Sequence, residues 1–228
     1  FIQGRKRRIC RSTEIMSILS TKNLEKHFDG VHAVDHLNLQ FEPGKVTSLI
    51  GPNGSGKSTL INTITGIHVA DGGTILIGDK TALSKMSPWD NPTYEITRTF
   101  QDVRLFEQMT VLDNILVVIT ERNVSEALFE KHKVFHLEKA QEVLERVGLW
   151  EKRNELASGL SYGQRKLLEI ARVLAMTHSP TGEAEIFFFD EPFAGLFPEM
   201  VKIVTSVIKE LRDKGKTIIL VEHNMDLI

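Results

Sequence analysis

Gly51-Pro-Asn-Gly-Ser-Gly-Lys-Ser-Thr59 fits the pattern G-x-x-x-x-G-K-[ST]. It follows Lys45 to Ile50, which reads as a short buried strand carrying Val46, Leu49 and Ile50, and it runs into a helix expected from Lys57 onward. Strand, glycine-rich loop and helix are the context that gives this pattern meaning. Glycines let successive backbone N–H groups turn inward around a phosphate, and the following helix adds unpaired donors and the positive end of its dipole. In this reading Gly51, Asn53, Gly54, Ser55 and Gly56 form the cradle. Lys57 reaches the β- and γ-phosphates, and Ser58 offers a hydroxyl to Mg2+, with Thr59 beside it in the first helical turn. A glycine-rich turn that merely happens to precede Lys and Ser is the bland alternative, and the agreement of motif and flanks speaks against it.

Upstream, Ile18 to Leu24 and Val31 to Phe41 roughly alternate apolar and polar residues around Asp29-Gly30, which predicts an antiparallel pair. Downstream, Asp71-Gly72-Gly73 turns into a strand from Thr74 to Ile77, and the sheet region is expected to end near Gly78-Asp79. From about Asp102 to Ala157 the pattern becomes helical, with Leu137, Ala140, Val143, Leu144 and Val147 on one face. Beyond it come a helix from about Ser161 to Met176, an apolar strand from Ile186 to Phe189, a helix from about Pro198 to Lys214 and a strand from Thr217 to Val221. The last helix turns Val201, Val204, Ile208 and Leu211 inward. Strands alternating with helices imply a parallel sheet. The fold class is therefore α/β: a P-loop NTPase core with a mixed, mainly parallel sheet, an N-terminal antiparallel β-subdomain and an inserted α-helical subdomain. The core is expected over about 16–101 and 165–228, and the helical subdomain over about 102–164.

Composition narrows the partners. A net charge of −2, with 41% hydrophobic and 25% charged residues, lacks the basic excess of a nucleic-acid binder. One cysteine, Cys10, cannot form an internal disulfide, which points to a reducing compartment, the cytoplasm. No run approaches the roughly 18 uninterrupted apolar residues of a membrane-spanning helix, so any service to a membrane is rendered from outside the bilayer. The basic stretch Arg5 to Arg11 can be read as an arm for nucleic acid or lipid headgroups. No apolar signal core follows it and the periodic pattern starts at Met16, so residues 1–15 are expected to be a disordered leader or tag.

Two further stretches carry chemistry. Ile186-Phe-Phe-Phe-Asp190-Glu191 is an apolar strand that ends in two acids, and a strand buried on both faces tolerates charge only at its tip. Asp190 is placed at the metal, directly or through water, and Glu191 orients and deprotonates the attacking water. Leu160-Ser-Tyr-Gly-Gln164 opens a helix, and Ser161 with Gln164 fits a capping box. Gly163 is a poor helix former there, and a small residue lets backbone donors approach a phosphate. Ser161, Gly163 and Gln164 thus also read as a second phosphate clamp.

The phosphate loop, the Leu-Ser-x-Gly-Gln stretch and the apolar Asp-Glu strand, in this order, resemble the ATP-binding cassette family. The resemblance covers Ile18 to Ile228. It implies that the clamp acts in trans on ATP held by another cassette, so that a homo- or heterodimer encloses two ATP molecules. It also implies that Gln101 is the glutamine linking core and helical subdomain near the metal, that His223 is a switch histidine at the γ-phosphate, and that Phe28 stacks on adenine. Two positions depart from the family pattern: Tyr162 stands where glycine is usual, and Phe197 where many relatives carry Asp or Asn, which bears on cross-subunit hydrogen bonding.

Arg98-Thr-Phe-Gln-Asp-Val-Arg-Leu-Phe106, Met109-Thr-Val-Leu-Asp-Asn-Ile115, the Tyr162 variant and Val221-Glu-His-Asn-Met-Asp226 resemble the ATP-binding subunits of branched-chain amino acid importers. That group implies two transmembrane permease subunits, an external substrate-binding protein, a place on the cytoplasmic face of the cell membrane, and no nucleic acid. Val103, Leu105, Phe106 and Met109 either line a groove for the permease or pack the subdomain. The alternatives are a urea or amide transporter's ATPase, a soluble cassette ATPase, or an ATP sensor without turnover. Relatives continue past the position of Ile228, so a further helix is expected there.

Overall fold

The computed structural model describes residues 17–78, 80–83, 86–99, 104–119, 133–178 and 184–223. β1 (Leu19–Phe28) and β2 (Val31–Phe41) pair antiparallel, from Leu19 opposite Phe41 to Phe28 opposite Val31. Asp29 and Gly30 between them have φ of 45° and 85°, the left-handed values that match a two-residue hairpin to the twist of its strands. β4 (Gly72–Ile77) lies antiparallel on the other side of β1, and β5 (Lys80–Leu83) extends the sheet to the order β2-β1-β4-β5.

A second sheet holds β3 (Val46–Ile50), β6 (Ile96–Arg98), β7 (Ile186–Asp190) and β8 (Thr217–Glu222) in the order β3-β8-β7-β6, with every pair parallel. The expected parallel sheet is present, and the antiparallel strands form a sheet of their own. β7 shows why its sequence is a continuous apolar run. Ile186 and Phe188, with Ile219 and Val221 of β8, join Leu60, Ile61 and Ile64 of α1 (Lys57–Ile64) and Leu19, Leu24 and Phe41 of the antiparallel sheet in one core. Phe187 and Phe189, with Ile218 and Leu220, enter a second core. That core takes in α2 (Val111–Ile119), α3 (Lys133–Arg146), α4 (Tyr162–Ala175) and α5 (Pro198–Asp213). Each fully buried Phe stabilises the fold by about 1.5–3 kcal/mol relative to an exposed one. With no polar face available, charge appears only at the tip of the strand, Asp190.

Three expectations change. The sheet region does not end at Gly78-Asp79, because β5 and β6 follow. β6 spans only Ile96 to Arg98, too short to show a period, and its Arg98 looks unlike a buried residue until Asp190 is seen beside it. β3 is not a buried strand; it forms one edge of its sheet, which leaves Val46 and Ile50 exposed. Ala140, Val143 and Leu144 of α3, and Val147 in the turn after it, face inward as expected but Leu137 is exposed, because His136 takes the inward place one helical turn before Ala140. The leader expected over residues 1–15, Val103, Gln101, residues 179–183 and the chain after His223 lie outside the described residues.

Candidate active site

The turn from β3 into α1 is built so that only glycine fits at its end. Gly56 caps α1 with φ 88°, and a Cβ there would lie 2.2 Å from the carbonyl oxygen of Ala33 in β2. α1 has no side-chain cap and no acid in its first turn, so its leading N–H groups and positive dipole end are offered to an anion. The Lys57 ammonium folds back over the loop, donating to the carbonyls of Gly51 at 2.6 Å and Pro52 at 2.9 Å and to the Ser55 hydroxyl at 3.5 Å. Ala33, the run from Asn53 to Thr59, and Glu191 line one cavity of about 280 Å3. The expected phosphate-loop residues from Asn53 to Thr59 and the expected general base therefore open on a single space, while Gly51 lines a neighbouring one.

Glu191 reaches it by a strained backbone. Its φ is 47°, its N–H donates to the carbonyl of Val221 at 3.0 Å, and its Oε1 lies 3.4 Å from Nδ1 of the exposed His223. A non-glycine residue in the left-handed region costs on the order of 1–3 kcal/mol, an outlier of the kind that gathers at active sites. Asp190, one residue earlier, is 2% exposed. Its N–H donates to the Thr99 hydroxyl at 3.0 Å, its Oδ2 accepts from Arg98 Nη2 at 3.2 Å, and its Oδ1 is buried without a hydrogen-bond partner among the described residues. Burial pushes the Asp190 carboxyl above its ordinary range, and Arg98 pulls it back. Hard oxygen donors, a hydroxyl on Ser58 and an unsatisfied oxygen on Asp190, suit Mg2+, which is bound by one or two protein oxygens together with phosphates. Behind these acids, burial pushes the Lys166 ammonium of α4 down while Glu169, Glu191, Glu222 and Asp190 pull it up. The fully buried Glu222 accepts from the Phe193 N–H at 3.4 Å, and burial raises its carboxyl.

The Ser161 to Gln164 stretch is positioned elsewhere, and the cavity above does not include it. It forms the full capping box: the Gln164 N–H donates to Ser161 Oγ at 3.3 Å, and the Ser161 N–H donates to Gln164 Oε1 at 3.0 Å. Both acceptor roles are local, so the stretch can donate outward the Ser161 hydroxyl hydrogen, the Gln164 amide hydrogens and the N–H groups of Tyr162 and Gly163 that open the helix. Gly163 is buried, and its absent Cβ would point at Met200 Sδ, 2.5 Å away, in α5. Tyr162 is 48% exposed and lies with its ring over Gly195. Phe28, 43% exposed, meets His68 edge-on at 5.2 Å and carries Lys26 Nζ 5.0 Å from its ring centroid. It does not line the phosphate cavity. Sequence reasoning missed Ala33, Arg98, Thr99 and Glu222. None of them carried a local signal; Arg98 follows only the Ile96-Thr97 pair of a three-residue strand.

A phosphate loop, a helix opening on Lys57, and acids at the tip of a parallel strand define a nucleotide-hydrolase class of site. The family model for ABC transporters matches residues 34–194, and the chain belongs to that family as one of its ATP-binding cassettes. It is 40% identical over 221 residues, 92% of this chain and 84% of the relative, to the high-affinity branched-chain amino acid transport ATP-binding protein LivG of Escherichia coli strain K12. It is 36% identical over 208 residues, 91% and 82% of the two chains, to the arginine transport ATP-binding protein ArtM of Bacillus subtilis strain 168. A crystal structure of the ADP conformation of an ATP-binding cassette from an ABC transporter matches with a TM-score of 0.75 at 36% identity, over 93% of this chain and 83% of that one. A dimeric cassette in a post-hydrolysis state with ADP and phosphate matches with a TM-score of 0.75 at 25% identity, over 92% and 89%.

Proposed function

We propose that the chain is the ATP-binding and hydrolysing subunit of an importer for branched-chain amino acids, working as a dimer of cassettes beneath two transmembrane permease subunits. The cargo class rests on the likeness to LivG. Dimeric action is supported by the placing of Ser161, Gly163 and Gln164 away from the chain's own phosphate cavity and by a dimeric relative. No described helix is long and apolar enough to cross a membrane, so attachment to the cytoplasmic face runs through the permeases, with an external binding protein delivering cargo on the far side. The core over 16–101 and 165–228 carries the nucleotide, and the helical subdomain over 102–164 presents the clamp.

The carrying observation is the shared cavity: the phosphate loop and Glu191 face one space, and His223 holds Glu191 at 3.4 Å. On ATP binding, Lys57 trades its own loop's carbonyls for phosphate oxygens, and the N–H groups that open α1 complete the grip. Phe28 stacks on adenine. Ser58 and Asp190, and by the family resemblance Gln101, would hold Mg2+, which would supply positive charge to the phosphates. Glu191 orients the attacking water and takes its proton, while His223 stands at the γ-phosphate. The partner cassette's clamp closes over that phosphate, and its loss on hydrolysis lets the pair open. The test compares steady-state ATPase of the protein and its Glu191→Gln variant. Turnover should fall by at least about 100-fold, at the low end of what a positioned general base supplies, with ATP affinity retained. Equal turnover would assign the chain to nucleotide sensing.

A further inference from the structure

β6 is the shortest strand of the parallel sheet, yet its last residue is bonded through all three guanidinium nitrogens. The Arg98 side chain is 8% exposed. Nη2 donates to Asp190 Oδ2 at 3.2 Å, Nη1 donates to Asn62 Oδ1 at 2.8 Å and to Thr65 Oγ1 at 2.9 Å, and Nε donates to the carbonyl of Thr99 at 3.2 Å. Asn62 and Thr65 stand at the far end of α1, the helix that opens with Lys57 and Ser58. One rigid planar group therefore joins the phosphate-loop helix to the acid at the tip of β7.

The consequence for Asp190 follows from its geometry. Its backbone is fixed by the Thr99 hydroxyl and its Oδ2 by Arg98, so the carboxyl cannot turn, and the one oxygen left to bind anything else is Oδ1. A buried carboxylate is costly without a cation beside it, and Arg98 supplies that cation without using Oδ1. Packing alone would be served by an apolar residue of the same size, and a lysine could not reach both α1 and Asp190 from one nitrogen.

We propose that Arg98 is a positioning residue of the cation site: it pins Asp190 Oδ2 to α1 and so fixes Oδ1 as a metal ligand in register with the Ser58 hydroxyl. This rests on the Mg2+–nucleotide reading given above and names a residue that acts on the metal only through another. Removal of such an outer partner typically weakens metal affinity on the order of 10–100-fold.

The experiment uses the full chain with Glu191→Gln in every sample, so that ATP is not consumed. ATP affinity is measured by calorimetry in Mg2+ and in EDTA, and the Mn2+ concentration that half-saturates the ATP-loaded protein is read by EPR. Arg98→Met should raise that Mn2+ concentration by roughly 10–100-fold while leaving ATP affinity in EDTA within about twofold. Arg98→Lys, which keeps the charge but not the fork, should fall between the two. Asn62→Ala removes one anchor while leaving the Arg98–Asp190 pair in place, and should raise it by a few fold. An unchanged Mn2+ requirement in Arg98→Met, or equal losses of ATP affinity with and without the metal, overturns the proposal. Should Arg98→Met fail to fold, Asn62→Ala decides, and an unchanged Mn2+ requirement there overturns it too. If the Glu191→Gln protein with Arg98 intact binds ATP equally in Mg2+ and EDTA, the reading of the site as a Mg2+–nucleotide centre is what fails, and the role of Arg98 falls with it.

Discussion

Replacing Gly163 by alanine would put a Cβ 2.5 Å from Met200 Sδ, 3.2 Å from Met200 Cε and 3.6 Å from Leu196 Cδ2. Only the first two are too close, and both belong to the mobile end of a half-buried methionine. The cost therefore falls at the low end of the roughly 1–3 kcal/mol that overpacking brings, and alanine's better helix propensity returns up to about 1 kcal/mol. The net loss should be no more than about 1 kcal/mol, a fall in Tm of at most about 2–4 °C for a chain of this size. Met200 sits in the first turn of α5, just after the loop that leads from Glu191 through Leu196 and Phe197, so its displacement is passed to that loop. A strain of this size there should weaken ATP-driven association by up to about fivefold. Melting curves and light scattering after size exclusion, with Glu191→Gln to hold the ATP state, give both readouts. Because the absent side chain points into the chain's own α4–α5 contact, Gly163→Ala combined with Met200→Ala should recover association. A double variant as impaired as Gly163→Ala alone would refute this reasoning, and would mean that the glycine is demanded by a phosphate in the partner cassette.

Lys57→Ala should abolish ATP binding measured by calorimetry while changing Tm little, since among the described residues the ammonium donates to the loop it belongs to. Phe188→Ala removes a fully buried ring and should cost about 3–5 kcal/mol, read as a lower denaturation midpoint at unchanged slope. Burial raises the folded pKa of Glu222 above its unfolded value, so the folded chain keeps a proton that the unfolded chain has lost. Its stabilising share is therefore complete below the ordinary glutamate range and is lost as pH rises through the raised value. Glu222→Gln keeps the acceptor for Phe193 N–H without that loss, so its Tm advantage over the unchanged protein should grow as pH rises from about 4; a constant difference across that range contradicts the assignment.

Features that depend on near neighbours in sequence were legible before the structure. The phosphate loop, the hairpin at Asp29-Gly30, the capping box at Ser161 and the apolar run into Asp190 each state their own geometry within a few residues, because φ preference, hydrogen-bond reach and two-sided burial act locally. Arg98 was not legible, since its meaning depends on Asn62 and Asp190, far away in sequence and brought together only by sheet order. Val46 and Ile50 misled for the same reason: which strand becomes an edge is decided by topology, not by hydropathy. At Gly163 the sequence could not show that an added side chain would meet Met200, a neighbour supplied by the packing of α5. The direction of a Cβ is fixed by the backbone, but what it meets belongs to the tertiary structure.

The self-bonded ammonium of Lys57 bears on what the site will accept. An incoming anion does not meet an idle charge; it must outbid two peptide carbonyls already at 2.6 and 2.9 Å. A lone inorganic phosphate offers little beyond that exchange. A triphosphate also brings contacts along the α1 N-terminus, so it can win through its length as well as its charge. The loop thereby favours long phosphate chains over short ones before any partner cassette arrives.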